Sequence, residues 1–249
     1  MKFKTVQASA FKASFEVLKD ILNDVNMYID SEGIKILTLD TARAALIDFH
    51  LSADNFEEFE CDEQKVVAGI NISNTFKLLK TISNNDILTV EINNRDTMNI
   101  HIQNPDKKTN TKFNLKLLEI DEDIIQVPEI EMAVNTVIPS IDFQRICRDM
   151  NNLATDIHIG RKDNILHIKC EGDFADQETF IECNDQADFE GELAGIYSLK
   201  YLNMFTKATG MCSSVQLMQE RQNRFLTLQY NVANLGELKF YLATRVKEH

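Results

Sequence analysis

Arg145 and Arg148, in the stretch DFQRICRDMNNL (142–153), stand three residues apart in a segment whose apolar residues Phe143, Ile146 and Met150 recur at helical spacing. Both cations therefore return to one side of a helix, away from the apolar face. The pattern recurs in three other segments. Lys12 and Lys19 are seven apart, Lys77 and Lys80 three, and Lys200 and Lys207 seven. These eight are a large share of the 26 Lys and Arg in a chain of formal net charge −13. A uniformly acidic body repels nucleic acid, and only a local concentration of cations overcomes that repulsion, in a salt-sensitive way. A lysine pair on the wet face of an amphipathic helix is commonplace by itself. Glu16, four after Lys12, and Asp149, four after Arg145, also offer ordinary intrahelical ion pairs. One pair carries little weight; four on four segments carry more.

Catalytic chemistry finds poor support. There is no Walker A loop, no H-E-x-x-H and no G-x-S-x-G, and the five histidines do not cluster. Asp121 and Asp123 lie in a stretch without clear periodicity, a poor platform for a metal. The five cysteines (Cys61, Cys147, Cys170, Cys183 and Cys212) are never closer than 13 residues, so no zinc or redox pairing is legible, and buried thiols in a reducing compartment are expected. No run approaches the ~18 consecutive apolar residues of a membrane span. Lys2 and Lys4 are followed by no apolar region, which argues against a secretory signal, and the sequon at Asn71 then reads as chance.

The elements that must position the cations are four short helices among strands. Ser9–Leu22, Ser73–Ile82, Ser140–Leu153 and Ser198–Ala208 each start at a serine, a good N-cap, and carry apolar residues at spacings of three and four. The rest alternates with the period of half-buried strands: 33–40, 87–92, 98–103, 164–170, 215–220 and 225–232. Asn- and Asp-rich turns separate them, which is how eight glycines suffice. The first and third helices are 131 residues apart, the second and fourth 125, with the six-acid segment EIDEDIIQVPEIEMA (119–133) between the halves. An internal duplication joined by an acidic linker and one large α+β domain with an acidic loop are both open on pattern alone.

The wording of RICRDM (145–150), LKYLNMFTKAT (199–209), NLGELKFYLA (234–243) and CDEQKVVAGINISNTFKLLK (61–80) resembles the proliferating cell nuclear antigen family of eukaryotic and archaeal-type DNA sliding clamps. The resemblance runs end to end. It implies an α+β clamp fold of two similar domains, 1–118 and 134–249, each with two helices and β-sheets, joined by a linker at 119–133. Three chains would close head to tail into a ring, with the helices lining the hole and the eight cations facing the phosphates of duplex DNA.

The resemblance also implies further sites. Strands 112–118 and 178–183 would pair antiparallel across the subunit boundary through Phe113, Leu115, Leu117, Thr179, Phe180 and Ile181, with Phe113 and Leu115 against Phe180. Short peptide motifs of a DNA polymerase, flap nuclease and ligase would dock on Leu39, Asp40, Arg43, Ala44, Leu46, Ile125, Val127, Pro128, Tyr241 and Ala243. Arg224 and Thr244 stand where the family usually has prolines, and Arg43 replaces a histidine, so a more cationic rim is expected. Lys162 aligns with a lysine on the outer face that is modified in the family. A clamp loader ATPase would open the ring; no cofactor is implied, and the compartment would be the nucleus or a viral replication compartment. A subunit of a heteromeric clamp and an acidic scaffold without a DNA role are the competing readings.

Overall fold

The computed structural model describes residues 1–40, 42–121, 125, 131–183 and 191–245. The first half of the chain runs β1 (Lys2–Thr5), α1 (Ala8–Leu18), β2 (Asp24–Asp30), β3 (Gly33–Leu39), β4 (Ala45–Ser52), β5 (Glu58–Glu60), β6 (Val66–Asn71), α2 (Ile72–Leu79), β7 (Ile87–Glu91), β8 (Thr97–Asn104) and β9 (Thr109–Lys116). The order then recurs, without a described counterpart of β5. It runs β10 (Met132–Pro139), α3 (Ser140–Met150), β11 (Asp156–Lys162), β12 (Ile165–Glu171), β13 (Asp176–Glu182), β14 (Glu192–Ser198), α4 (Leu199–Phe205), β15 (Ser214–Glu220), β16 (Phe225–Val232) and β17 (Gly236–Ala243). All the strands paired by register are antiparallel, which the short Asn/Asp turns permit. Asn85, Asp163 and Asn223 indeed sit at positive φ in such turns.

The chain divides into two compact units, and neither is a simple half of the sequence. Unit 1 comprises Met1–Thr38, Ile47–Ile125 and Asn231–Leu238; unit 2 comprises Leu39–Leu46, Gln126–Tyr230 and Lys239–His249. Backbone hydrogen bonds account for the borrowed segments. In unit 1, Ser52 N–H donates to Leu235 C=O at 2.9 Å. In unit 2, Ala243 N–H donates to Ala44 C=O at 3.3 Å.

Unit 1 holds a five-stranded sheet ordered β5-β1-β7-β8-β9 and a run β6-β2-β3-β4. Its core is aromatic. Phe3 lies 5.8 Å from Phe11 and 5.1 Å from Phe56, and Phe15 meets Phe49 edge-on at 6.4 Å. Unit 2 holds a four-stranded sheet ordered β13-β12-β11-β14 and a run β10-β15-β16-β17. There Phe205 stacks on Phe240 at 4.4 Å, with Tyr230 edge-on to Phe240 at 6.3 Å.

The helices form where the apolar spacing predicts them, but their serines do not cap them. Ser9 and Ser73 lie inside α1 and α2, behind Gln7 and Asn71 at the N-cap positions. Asn71 is the working cap, since its side chain accepts from Asn74 N–H at 2.9 Å. Ser140 is the first helical residue of α3 and donates its hydroxyl to Cys212 C=O at 2.5 Å instead. Ser198 does occupy the N-cap of α4, without a side-chain bond. Strands lead directly into α2, α3 and α4, so the backbone direction is set by the sheet and a hydroxyl cap is dispensable.

Gly69, in β6, marks the departure of the chain from unit 1's sheets. Leu118 N–H donates to Gly69 C=O at 2.8 Å, and a Cβ on Gly69 would stand 2.1 Å from the Leu118 carbonyl oxygen. Gly69→Ala is expected to cost about 1–3 kcal/mol through forced displacement of Leu118. Urea unfolding and hydrogen exchange at the Leu118 amide check this; unchanged protection there would refute it.

Candidate nucleic-acid interface and docking loop

Burial of Phe11, Phe15, Leu18, Leu79, Phe143, Ile146, Leu199, Leu202 and Phe205 fixes the rotation of each helix. The cations follow on the other faces, but they are not equivalent. Lys12 Nζ donates to Ile82 C=O at 2.7 Å, tying α1 to the residues after α2. Lys19 Nζ lies 4.7 Å from the centre of the Phe76 ring and 3.9 Å from Asp20. Both are half-buried and brace the helix pair. Lys77 and Lys80, in contrast, are exposed at the C-terminal turn of α2, where the helix dipole favours cations. Among the described residues Lys77 bonds only Asn74, at 3.0 Å, and Lys80 has no side-chain partner.

In unit 2, Arg145 pairs with Asp142 at 3.1 Å and Arg148 with Asp149 at 3.8 Å. Both guanidinium groups are more than half exposed, and surface pairs of this kind are worth about 0–1 kcal/mol. An incoming phosphate can therefore exchange with them at little cost. Lys200 on α4 and Lys207 on the following 3-10 turn (Thr206–Gly210) are exposed as well.

The loop after β3 is organised by one carboxylate. Asp40 is buried, and it accepts from the backbone N–H groups of Ala42 (3.1 Å), Ala44 (2.7 Å) and Ala45 (2.7 Å) and from the Tyr201 hydroxyl (2.6 Å). Burial alone would raise the pKa of Asp40, but the Tyr201 bond and the three amides together hold it below its ordinary value. Tyr201 is pushed up to about 12, by burial first and then by its bond to the carboxylate, so the phenol stays protonated and donating. This web holds Arg43 at φ +55°, an uncommon conformation for a side chain of its size, and leaves it exposed. Tyr201 was not among the sequence candidates; 161 residues separate it from Asp40, and no local signal links them.

Leu39, Asp40, Arg43, Ala44, Leu46, Tyr241 and Ala243 all belong to unit 2. Tyr241 stands edge-on to Phe225 at 6.4 Å. Ile125 is half-buried and belongs to unit 1, and Val127 and Pro128 lie outside the described residues. Arg224 and Thr244, which stand where the resemblance implies prolines, both bond within unit 2. Arg224 binds both oxygens of the buried Glu220 carboxylate, its Nε lying 2.8 and 3.1 Å away, and this bond holds Glu220 below its usual pKa. Thr244 is neutral and bonds back to Asn223 C=O at 2.7 Å. Arg43 and Arg224 are both exposed, and of the two Arg224 is held in an ion pair with Glu220.

Among the described residues, two sheets end in open edges at the predicted strands, β9 in unit 1 and β13 in unit 2. Their faces differ from the expected pairing. Register places Phe113 and Leu115 opposite the buried Ile100 and Met98, on the core face of β9. Leu117 continues that alternation. On β13, Thr179 and Ile181 lie opposite the buried Ile168 and Leu166, while Phe180 turns outward beside His167. Phe180 is 62% exposed and stacks on His167 at 4.4 Å. Two sheets joined with their core faces aligned thus cannot set Phe113 or Leu115 against Phe180. Thr179 and Ile181 are the β13 residues on the matching core face. Lys162 closes β11 as an exposed residue before the turn at Asp163.

Residues 1–126 match the family model described as proliferating cell nuclear antigen, N-terminal domain, and residues 126–245 that of the C-terminal domain. The chain is also 37% identical over 254 residues to the "Probable DNA polymerase sliding clamp 1" of Paramecium bursaria Chlorella virus 1, covering 96% of this chain and 95% of the relative.

Removing the phenol by Tyr201→Phe leaves Asp40 with its three amides and is expected to cost about 1.5–3 kcal/mol at neutral pH, as for a hydrogen bond to a charged group. Because the folded-state pKa of Asp40 is depressed below 3.8, its stabilisation is complete above that value and is lost as pH falls through the folded one. The gap between wild type and Tyr201→Phe should therefore narrow on acidification. Urea midpoints from neutral to acid pH measure it, and a constant gap would contradict the account.

Proposed function

The chain belongs to the proliferating cell nuclear antigen family of DNA sliding clamps, and from that premise we propose that it closes as a homotrimeric ring on duplex DNA, without sequence preference. The ring serves as a polymerase processivity factor and docking platform, not as an enzyme. The observation that carries this reading is the pair of family matches, which together span residues 1–245. The domain limits 1–118 and 134–249, with a linker at 119–133, belong to the same proposal.

The exposed cations Lys77, Lys80, Arg145, Arg148, Lys200 and Lys207 are the proposed phosphate contacts. Lys12 and Lys19 act chiefly by bracing α1 against α2. Contacts to phosphate alone carry no sequence information and exchange readily, so a ring held by them can slide. The acidic remainder of the chain discourages binding anywhere else.

Ring closure is supported by the repeated element order. β13 occupies the place of β4 in the repeat, and β9 the place of β17. The ends of β4 and β17 are tied by the Ser52–Leu235 and Ala44–Ala243 hydrogen bonds. Their counterparts β9 and β13 are left with open edges, which a second copy satisfies. The Asp40 loop with Tyr241 and Ala243, together with Ile125, Val127 and Pro128, is the proposed dock for short apolar peptide motifs of the polymerase, flap nuclease and ligase. A loader ATPase opens the ring. The proposed compartment is the nucleus or a viral replication compartment, where Lys162 is available for modification.

Neutralising Lys77, Lys80, Arg145 and Arg148 together should abolish stimulation of a polymerase on primed circular DNA while the native mass stays that of wild type. The slope of log affinity against log salt should fall by up to about 3.6, at 0.9 for each phosphate that is no longer neutralised. Undiminished stimulation, or an unchanged slope, would exclude these helices as the DNA interface.

A further inference from the structure

We infer that β9 and β13 encode the register of self-association by charge, with Lys112 and Lys116 of one copy opposite Glu182 and Glu178 of the next. The inference rests on the ring reading above, and it commits the open edges to a second copy of this chain.

Three observations carry it. The first is backbone phase. Leu117 N–H points inward to Asp96 C=O at 2.8 Å, and Cys183 N–H points inward to Asn164 C=O at 2.7 Å. Peptide groups alternate along a strand, so on both edges the even-numbered residues carry the outward-pointing N–H and C=O groups. Even-numbered residues of the two strands can therefore form hydrogen-bonded pairs.

The second observation is facing. Those same residues direct their side chains to the face away from the core: Lys112, Asn114 and Lys116 on β9, and Glu178, Phe180 and Glu182 on β13. Aligning core face with core face brings the two sets together.

The third is charge. Between 107 and 117 the β9 edge holds Lys107, Lys108, Lys112 and Lys116 and no acid; β13 holds Asp176, Glu178 and Glu182 and no cation. Lys112, Lys116 and Glu182 have no ion-pair partner among the described residues, and Glu178 has only His167, at 3.6 Å. With Asn114 opposite Phe180, both lysines meet glutamates, while Phe113 meets Ile181 and Leu115 meets Thr179 on the core face. A shift of two residues in either direction leaves one ion pair or none. One edge is basic and the other acidic, so the contact is head to tail and excludes edge-to-like-edge pairing.

Native mass by light scattering, across protein dilution and salt, tests this with charge variants. Lys112→Glu with Lys116→Glu, and separately Glu178→Lys with Glu182→Lys, should each run as the 28.5 kDa single chain. All four reversals in one chain should restore self-association but not association with wild type. Engineered cysteines read the register directly and survive any loss of charge. Phe113→Cys with Ile181→Cys should cross-link between copies, since facing residues of a non-hydrogen-bonded pair lie about 4.5 Å apart. Phe113→Cys with Thr179→Cys should not. A wild type that stays a single chain would overturn the ring reading itself. A wild type that associates while the two-site reversals associate equally well, or cross-links through 113 and 179, would leave the ring standing and overturn the register.

Discussion

Repulsion between an acidic body and a polyanion is the constraint from which the rest of the molecule follows. With a net charge of −13, the chain can approach DNA only through surfaces where exposed cations are unpaired or held in weak pairs that a phosphate can displace. Amphipathic helices provide such surfaces at low cost. Once Phe143, Ile146 and Leu202 are buried, the opposite faces are fixed in direction, and a few cations placed there project together. The strands then take the remaining charge. On β13, for example, acids occupy the outward positions while Thr179 and Ile181 turn to the core. Helix rotation and strand alternation thus perform the same separation of charge by two different periodicities.

Within that frame, cations serve two distinct ends. Lys12 and Lys19 have the same spacing as Lys200 and Lys207, yet their ammonium groups close on Ile82 C=O and on the Phe76 ring. Whether a lysine on a helix faces solvent or stitches two helices together depends on the neighbouring helix. Asp40 shows the converse for an acid. Four donors converge on its carboxylate, and Arg43 beside it stands at positive φ. The exposed surface of the loop is built there on a buried charge.

Much of the fold was legible in the sequence because it rests on local period. The four helices, the strand cores and the Asn and Asp turn positions all follow from spacing and from φ preferences that act over a few residues. Serine signals a free helix start, whereas α2 and α3 begin at the end of a strand whose direction is already determined, behind Asn71 and Pro139; α4 begins the same way, with Ser198 at the N-cap but making no side-chain bond. The exchanged segments Leu39–Leu46 and Asn231–Leu238 were invisible, since backbone pairing across some 180 residues leaves no periodic trace. The same holds for the Asp40–Tyr201 bond and for Arg224, which pairs with a glutamate four residues earlier that reads as an ordinary strand residue. Pairs that meet only after folding are what pattern reading misses.

The open edges combine both kinds of information. Alternation along β9 and β13 is local, and it assigns every side chain to a face once a single inward N–H is known. What alternation does not supply is which of the equivalent slips of two residues is taken, because the backbone of an antiparallel pair is satisfied equally well in each. Side chains must break that degeneracy. Apolar residues on the core face discriminate weakly, as Phe113 meets an acceptable neighbour in Thr179 or Ile181. Charges discriminate better, because a lysine opposite a phenylalanine or an asparagine opposite a glutamate forgoes an ion pair without a compensating interaction. A homomeric ring whose register is set by charge needs one edge of each sign on every chain, and such a pair of edges discriminates against partners with other outward residues. Specificity of assembly then lies on the solvent face and makes no demand on the packed core.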